Sequence, residues 1–262
     1  MLESLERFFN IEEFPEITFI LAAIILAVFL FTNSNIPFYE NLFGFIPGRP
    51  QVWSLTTYIF IHANFSHVFF NLLFLIIAGI AVEETLGKWV YISVFFASGY
   101  VAVVFDILGR FLAGFFDFMN HVCVSYLQCV NLGGPFVGAS GAVFGIMAVA
   151  SLIKPTEKIP TILVLLAFIP FIQTYWEFQS QLNYFTSLFI GAFVFVLAIS
   201  IFFISPSTVP IFVAMLCFMF SWIFVILVNT SGNISNVGHL GGVIGGLVSY
   251  FVFAKAKKPK ST

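Results

Sequence analysis

The chain has 262 residues, of which 60% are hydrophobic and only 8% are charged, and its formal net charge is -2. Soluble domains carry about 25% charged residues, so this composition excludes an ordinary soluble protein and predicts a multi-pass membrane protein. A net charge so close to zero gives no indication of nucleic-acid binding.

The N-terminal segment, residues 1–16, is acidic. It carries five glutamates and a single basic residue, Arg7. A secretory signal begins with a positively charged region, so we do not expect one here. The apolar residues of the segment have helical spacing, which fits an interfacial helix or a solvated lead-in helix. We expect the segment to be cytoplasmic or interfacial.

A membrane-spanning helix needs about 20 largely apolar residues, and the chain contains eight candidate runs. No Asp, Glu, Lys or Arg lies between Glu177 and Lys255, a stretch that fits three spans. The sequence therefore predicts an all-α, polytopic membrane domain over residues 17–254, followed by a basic cytoplasmic tail at 255–262. The predicted spans are about 17–32, 66–83, 88–108, 139–154, 159–177, 184–204, 209–229 and 237–254.

The distribution of lysine and arginine predicts the orientation of these spans. With the N-terminus in the cytoplasm, eight of the ten basic residues lie on the cytoplasmic side, as the positive-inside rule requires. Arg49 and Arg110 then lie outside.

This threading makes the spans that begin near Ser66, Ala139 and Val237 all start at the outer face. The serine span and the histidine span both start at the outer face only if an odd number of helices, one or three, lies between them. We count three. The span at 159–177 contains two prolines and could instead be a re-entrant element. In that case the number of crossings would no longer place the serine and histidine spans at the same face.

A serine and a histidine, each flanked by glycines, begin two of the predicted spans. Ser140 lies in the run Gly138–Gly141, and His239 lies in the run Gly238–Gly242. Small residues spaced four apart let helix backbones approach closely, so the two glycine faces could bring the side chains within hydrogen-bond reach. An imidazole at that distance activates a serine nucleophile. The alternative is that the glycines only pack helices.

A second pair of polar residues, His67 and Asn71, is predicted at the same depth. A spacing of four places both side chains on one helical face. Donors of this kind stabilise a developing oxyanion, and the backbone N–H of Ser140 at its helix N-terminus would add another. No Asp or Glu lies near these residues in sequence, so the simplest site is a serine–histidine dyad.

Four motifs in this order indicate a family. Over about residues 17–254 the chain resembles the rhomboid intramembrane serine proteases. The resemblance implies that Ser140 is the nucleophile and His239 the base, and that the H-x-x-x-N pair helps to form the oxyanion hole. It implies a structural role for Glu83, which ties the inner end of its helix. The motifs are H-x-x-x-N at His67–Asn71, G-x-x-x-E-x-x-x-G at Gly79–Gly87, G-x-S-G at Gly138–Gly141, and a histidine-glycine motif at His239–Gly246.

The sequence departs from the family pattern in three places. The family often has Trp-Arg in the loop after the first span, whereas Trp53 is followed here by Ser54. Phe144 replaces a tyrosine that stacks on the histidine, and keeps the stacking face. Three helices separate the serine and histidine spans, two more than the single helix of the six-helix core, so the lateral gate for substrate is undefined. The residues expected to support the site are Gly138, Gly141, Phe144, Gly242 and His62.

The resulting expectation is hydrolysis of peptide bonds in or near transmembrane segments. The partners would be single-pass or multi-pass membrane proteins and the lipid bilayer, with no cofactor, no metal and no nucleic acid. In a prokaryote the chain would lie in the cell membrane. A catalytically silent rhomboid-like binder and a neutral-solute transporter are the alternatives.

Three residues of the predicted outer loop, at about 109–137, leave several interpretations open. His121, Cys123 and Cys129 could bind a metal, the two cysteines could form a disulfide in an oxidising exterior, or all three could be inert.

Overall fold

The computed structural model of the chain describes residues 14–119, 122, 125, 128, 130–156, 158–161, 208–214 and 235–253. The chain divides into two compact units, one formed by Met1–Ile153 with Asn229–Thr262 and the other by Lys154–Val228. In the first unit the described residues form the α-helices α1 Glu16–Thr32, α2 Ile36–Phe43, α3 Ser54–Thr57, α4 Phe65–Leu86, α5 Lys88–Met119, α6 Ser140–Ile153 and α7 Ser235–Phe253, with short 3₁₀ turns at Asn33–Asn35 and Tyr58–Phe60.

Five of the predicted spans fall on helices in the described part of the chain. Three stretches, Glu16–Phe43, Phe65–Leu86 and Lys88–Met119, are long and apolar enough to cross a membrane, and α6 and α7 are shorter apolar helices. The described part of the chain is therefore that of a multi-pass membrane protein. The predicted spans that fall on helices are 17–32, 66–83, 88–108, 139–154 and 237–254.

Helix α5 is longer than the sequence predicted. It contains 32 residues, which corresponds to about 48 Å, whereas a bilayer core is about 30 Å thick. The prediction that a loop starts near residue 109 was wrong, because the helix continues to Met119. The charge of Arg110 does not end it, since Arg110 pairs with Asp106 one turn earlier in the same helix.

The second unit contains a feature absent from the all-α prediction. Strands β1 Lys158–Pro160 and β2 Thr208–Pro210 pair antiparallel, with Ile159 opposite Val209. The helices predicted to begin at 159 and 209 therefore start later. Each strand has a β-branched residue directly before a proline, and both features favour extended backbone over helix. Most of the predicted spans 159–177, 184–204 and 209–229 lies outside the described residues.

Glycines set the distance between α7 and its neighbours. A Cβ atom placed on Gly246 would lie 2.6 Å from the Cα of Gly145 in α6, and one on Gly242 would overlap the backbone of Gly141. On another face of α7, a Cβ on Gly241 would lie 2.5 Å from the Cβ of Phe105 in α5. The glycine faces predicted to meet do meet, and a larger side chain at these positions would push the helices apart.

The other end of the bundle is held by Glu83. Its carboxylate accepts hydrogen bonds from the backbone N–H of Ile17 at 2.9 Å and from the N–H and hydroxyl of Thr18 at 2.7 and 2.8 Å. A negative group at a helix N-terminus pairs with unsatisfied N–H groups and with the positive end of the helix dipole. Glu83 in α4 thus fastens the start of α1, as the resemblance implied.

Candidate active site

The structure brings Ser140 and His239 together. Ser140 is the first residue of α6, and His239 lies in the first turns of α7. The Ser140 Oγ lies 2.7 Å from the His239 Nε2, which is the usual length for a hydrogen bond involving a hydroxyl. His239 is buried and Ser140 is half-buried. The contact forms at the end of the helix pair where Gly141 meets Gly242.

The ring of Phe144 packs against the imidazole of His239. Four residues after Ser140, it lies on the same face of α6, and its ring stacks on the ring of His239 with a centroid separation of 4.6 Å and an interplanar angle of 22°. The structure therefore places Phe144 as the sequence analysis expected, with the stacking face present and no hydroxyl.

The backbone before Ser140 has a shape that requires glycine. Gly138 has φ of +110°, a region that residues with a Cβ rarely adopt. Its N–H donates to the carbonyl of Tyr58 at 2.9 Å. A Cβ at this position would lie 2.5 Å from the Cε1 of His67. Gly138 is thus needed both for its backbone angle and for the space that the His67 ring occupies.

His62 fixes the next residue of that backbone. Its Nε2 accepts a hydrogen bond from the N–H of Ala139 at 3.4 Å. The other ring nitrogen lies 3.3 Å from the carbonyl oxygen of Phe60, so the Nδ1 must carry the proton. Burial, with a smaller effect from neighbouring His67, lowers the pKa of His62 to about 3. His62 is therefore neutral at physiological pH and acts here as a hydrogen-bond acceptor.

His67 and Asn71 both lie on α4, and His67 borders the Gly138 backbone. Asn64 caps the helix, because its side chain accepts from the N–H of His67 at 2.8 Å, and this fixes the first turn. The His67 ring packs edge-on against His62 with centroids 4.9 Å apart. One N–H of the Asn71 amide donates to the carbonyl of His67 at 2.8 Å. His67 therefore borders Gly138, while Asn71 commits part of its donor capacity to its own helix.

Sequence reasoning missed one part of this region, a buried ion pair. The Arg110 Nε lies 2.7 Å from the Asp106 Oδ2, and both side chains are almost inaccessible to solvent. The sequence analysis placed Arg110 on the outer side of the membrane and assigned it no partner. The signal was present in the sequence, because opposite charges four residues apart at the end of an apolar run can pair along one helix face.

The outer-loop residues His121, Cys123 and Cys129 lie outside the described residues. Within the described part of the chain, no group of three or more His, Cys, Asp or Glu side chains is placed to hold a metal ion.

Known proteins share this sequence pattern. The Rhomboid domain family matches residues 49–205, which is more than half of the 262-residue chain. The matched region contains Ser140, His67, Asn71 and His62, and it ends before His239.

Individual relatives carry the same family name. The chain is 29% identical over 141 residues to "Putative rhomboid protease YdcA" of Bacillus subtilis (strain 168), which covers 52% of this chain and 61% of that protein. It is 33% identical over 99 residues to "Rhomboid-like protease 1" of Toxoplasma gondii, covering 38% and 27%. It is 32% identical over 123 residues to "Rhomboid-like protein 11, chloroplastic" of Arabidopsis thaliana, covering 46% and 37%. The chain thus spans less than two thirds of the length of each of these relatives.

The family match covers the serine motif, the H-x-x-x-N pair and the acidic motif, and the structure sets them within one helical unit beside the histidine of α7. The apolar helices that carry them are those of a multi-pass integral membrane protein. The chain belongs to the rhomboid family.

Proposed function

We propose that the chain is an intramembrane serine endopeptidase in which Ser140 is the nucleophile and His239 is the general base. The observation that carries the proposal is the 2.7 Å contact between the Ser140 Oγ and the His239 Nε2. A neutral imidazole nitrogen at that distance can accept the hydroxyl proton as the oxygen attacks. The stacked Phe144 ring keeps the imidazole in place during the transfer.

The reaction would proceed in two halves. In the first, the Ser140 Oγ attacks the scissile carbonyl carbon while His239 takes the hydroxyl proton, and the protonated imidazole then gives that proton to the leaving amine. In the second, His239 removes a proton from water, the water oxygen attacks the acyl ester, and the serine oxygen leaves with the proton. The products are an amine and a carboxylic acid, and the enzyme returns unchanged.

Three groups are candidates for the oxyanion hole. The N–H of Ser140 lies at the first position of α6, where helix geometry provides no intrahelical acceptor. The His67 ring borders Gly138, two residues before the nucleophile. Asn71 keeps a second amide N–H beyond the one donated to the His67 carbonyl. Donors that are fixed before the reaction stabilise developing charge without reorganisation.

Substrates of this activity would be transmembrane segments of single-pass or multi-pass proteins. A regular helix hides its carbonyls within its own hydrogen bonds, so cleavable segments should carry helix-weakening residues near their outer ends. The dyad lies at the end of the bundle opposite Glu83, which supports access from one face of the membrane. Water would need to reach the same face.

The threading proposed with this function has eight spans and a cytoplasmic N-terminus. It places two spans between residues 160 and 208, so the chain would return to the face it left. The antiparallel pairing of β1 with β2 supports an even number of crossings between them. In a prokaryote the protein would lie in the cell membrane.

Labelling and cleavage by the full-length protein test the proposal. Wild-type protein in detergent should react covalently with a fluorophosphonate and cleave a reconstituted transmembrane substrate, and Ser140→Ala should lose both activities. Ser151→Ala is a matched control, since Ser151 is a buried serine of the same helix whose hydroxyl donates to the Met147 carbonyl. It should keep both activities.

Two results would count against a protease. Cleavage by Ser140→Ala at the wild-type rate would remove the nucleophile assignment. A folded wild-type protein that neither labels nor cleaves, yet retains a membrane-protein partner, would favour a silent binder.

A further inference from the structure

The buried ion pair of α5 has no part in the chemistry proposed above. Asp106 and Arg110 are one turn apart, and the pair is held by a 2.7 Å hydrogen bond in a setting almost closed to solvent. Burying two charges costs desolvation energy that the pairing often fails to recover, and charged residues within membrane helices are usually functional. We therefore expect the ion pair to have a role other than stabilising the fold.

Its position along α5 relates it to the dyad. A Cβ on Gly141 would contact Ala102 of α5, and a Cβ on Gly238 would lie 3.2 Å from the Ala102 carbonyl oxygen. Ala102 thus touches the starts of both α6 and α7. Asp106 and Arg110 follow at intervals of four residues, which places them on the same helix face further toward the helix C-terminus. The ion pair extends the face of α5 that borders the serine and histidine helices.

Arg110 also reaches the segment that leads to the serine. Its Nη1 donates to the carbonyl of Asn131 at 2.9 Å. The Asn131 side-chain oxygen accepts from the N–H groups of Gly133 and Gly134 at 3.2 and 3.3 Å, which closes a turn at that point. One guanidinium therefore joins a carboxylate of α5 to the first residue of the segment 131–139.

The other hydrogen-bonded anchors of this segment lie ahead of α4. Its backbone pairs with Phe45 through two hydrogen bonds of 2.7 and 3.0 Å, with Gly48 at 2.8 Å, and with Tyr58 at 2.9 Å. The N–H of Ala139 donates to His62 at 3.4 Å. These four partners lie within residues 45–62. Arg110 differs because it belongs to α5, which packs closely against α7, the helix that carries His239.

We propose that Asp106 and Arg110 are positioning residues that hold the Ser140 segment in register with the helix carrying His239. The carboxylate fixes the guanidinium, the guanidinium fixes Asn131, and the segment 131–139 transmits that position to Ser140. This inference rests on the proposed function only where it concerns the reaction of Ser140. The anchoring of the segment can be tested without any activity.

The experiment compares neutral variants with a matched ion-pair control in the full-length protein. Arg110→Gln removes the anchor, and the double variant Asp106→Asn with Arg110→Gln removes it without leaving an uncompensated buried charge. Arg110→Lys keeps the charge but loses the planar fork that serves two acceptors. The control is Lys88→Gln, which breaks the exposed ion pair with Glu16 at the other end of the same helix.

Three measurements are made on each variant below its unfolding temperature. They are the rate of Ser140 labelling by a fluorophosphonate, the kcat and KM for a transmembrane substrate, and amide hydrogen exchange of residues 132–139. We expect Arg110→Gln and the double variant to label and turn over about 10- to 100-fold more slowly than wild type, with KM unchanged and exchange accelerated. Arg110→Lys should recover part of the rate, and Lys88→Gln should match wild type in all three.

Each measurement can contradict a different part of the proposal. Exchange rates equal to wild type in the Arg110 variants would contradict the anchor itself. Faster exchange with an unaltered labelling rate would show an anchor that does not position Ser140. Failure of the wild type to label at all, with Arg110-dependent exchange intact, would remove the proposed function and leave the anchor standing.

Discussion

At the scale of single residues, the proposed site depends on groups that hold Ser140 and His239 in place. Phe144 stacks on the His239 ring, and His62 accepts the N–H of Ala139 directly before Ser140, the proposed nucleophile. The place of Phe144 could be predicted, because a spacing of four from Ser140 defines a helix face. The contact of His62 could not, because it lies on non-helical backbone before α4, where helical spacing has no meaning.

The buried state of His62 predicts a pH dependence of stability. Its pKa is about 3 in the folded protein and about 6.5 in an unfolded chain, so the unfolded state binds more protons between these values. The contribution of His62 to the free energy of unfolding should therefore be fully present above pH 6.5. The free energy of unfolding should decrease as the pH falls from 6.5 toward 3, by up to about 1.4 kcal/mol per pH unit. Unfolding temperatures in detergent measure this.

The comparison for this prediction is His62→Gln, whose side-chain oxygen can still accept from Ala139 but does not titrate. It should show a shallower fall in unfolding temperature between pH 6.5 and pH 4 than wild type. Identical slopes for the two proteins would mean that His62 does not carry the effect.

At the scale of helices, the distance between Ser140 and His239 is set by glycine contacts beyond the dyad. Gly141 meets Gly242, and Gly145 meets Gly246 one turn further on. The hydrogen bond between the two side chains forms because the backbones are already in contact. A shift of α7 by the width of one methyl group would separate the hydroxyl from the imidazole.

Gly242→Ala tests this dependence. The added methyl would overlap the backbone of Gly141, which cannot rotate away, so the helices must separate. We expect a loss of about 1–3 kcal/mol in stability from overpacking and a fall of about 100-fold in the rate of Ser140 labelling. Gly133→Ala is the control, because no atom lies within 4 Å of a Cβ at that position, and it should be neutral in both. Normal labelling by Gly242→Ala would contradict the account.

The same helices show what a sequence can and cannot predict. The approach of α6 and α7 was predictable because glycines at four-residue intervals are a local pattern with a direct packing consequence. The end of α5 was not, since Arg110 is neutralised by Asp106 within the helix and does not mark the membrane edge. The strands β1 and β2 were also missed, because their pairing joins residues about 50 positions apart and leaves no periodic signal in three-residue segments.

At the scale of the whole molecule, orientation decides whether the dyad can work. Ser140 and His239 come from helices far apart in the chain, and both must begin at one face of the membrane. The predicted spans between them, including those outside the described residues, must therefore be odd in number. In the proposed threading the basic residues concentrate on one side, which predicts that this side is cytoplasmic.

Cysteine labelling with a membrane-impermeant reagent tests the threading. In a protein whose three native cysteines are replaced, Ser180→Cys should react only from outside, and Ser207→Cys only from inside. Retained labelling by a fluorophosphonate serves as the control for correct folding. Reaction of both positions from the same side would mean that 184–204 does not cross the membrane.

The pairing of β1 with β2 also has an architectural consequence. It brings residue 160 beside residue 208, so the chain segment between these residues begins and ends at the same point of the fold. Antiparallel strands can be joined by a two-residue turn. A chain in which a short turn joined β1 to β2 directly would connect the serine helix to the histidine helix with two fewer predicted spans. In the proposed threading the two extra spans would therefore form an insertion between two paired strands, and removing them would leave the Ser140 and His239 helices in the same order and orientation.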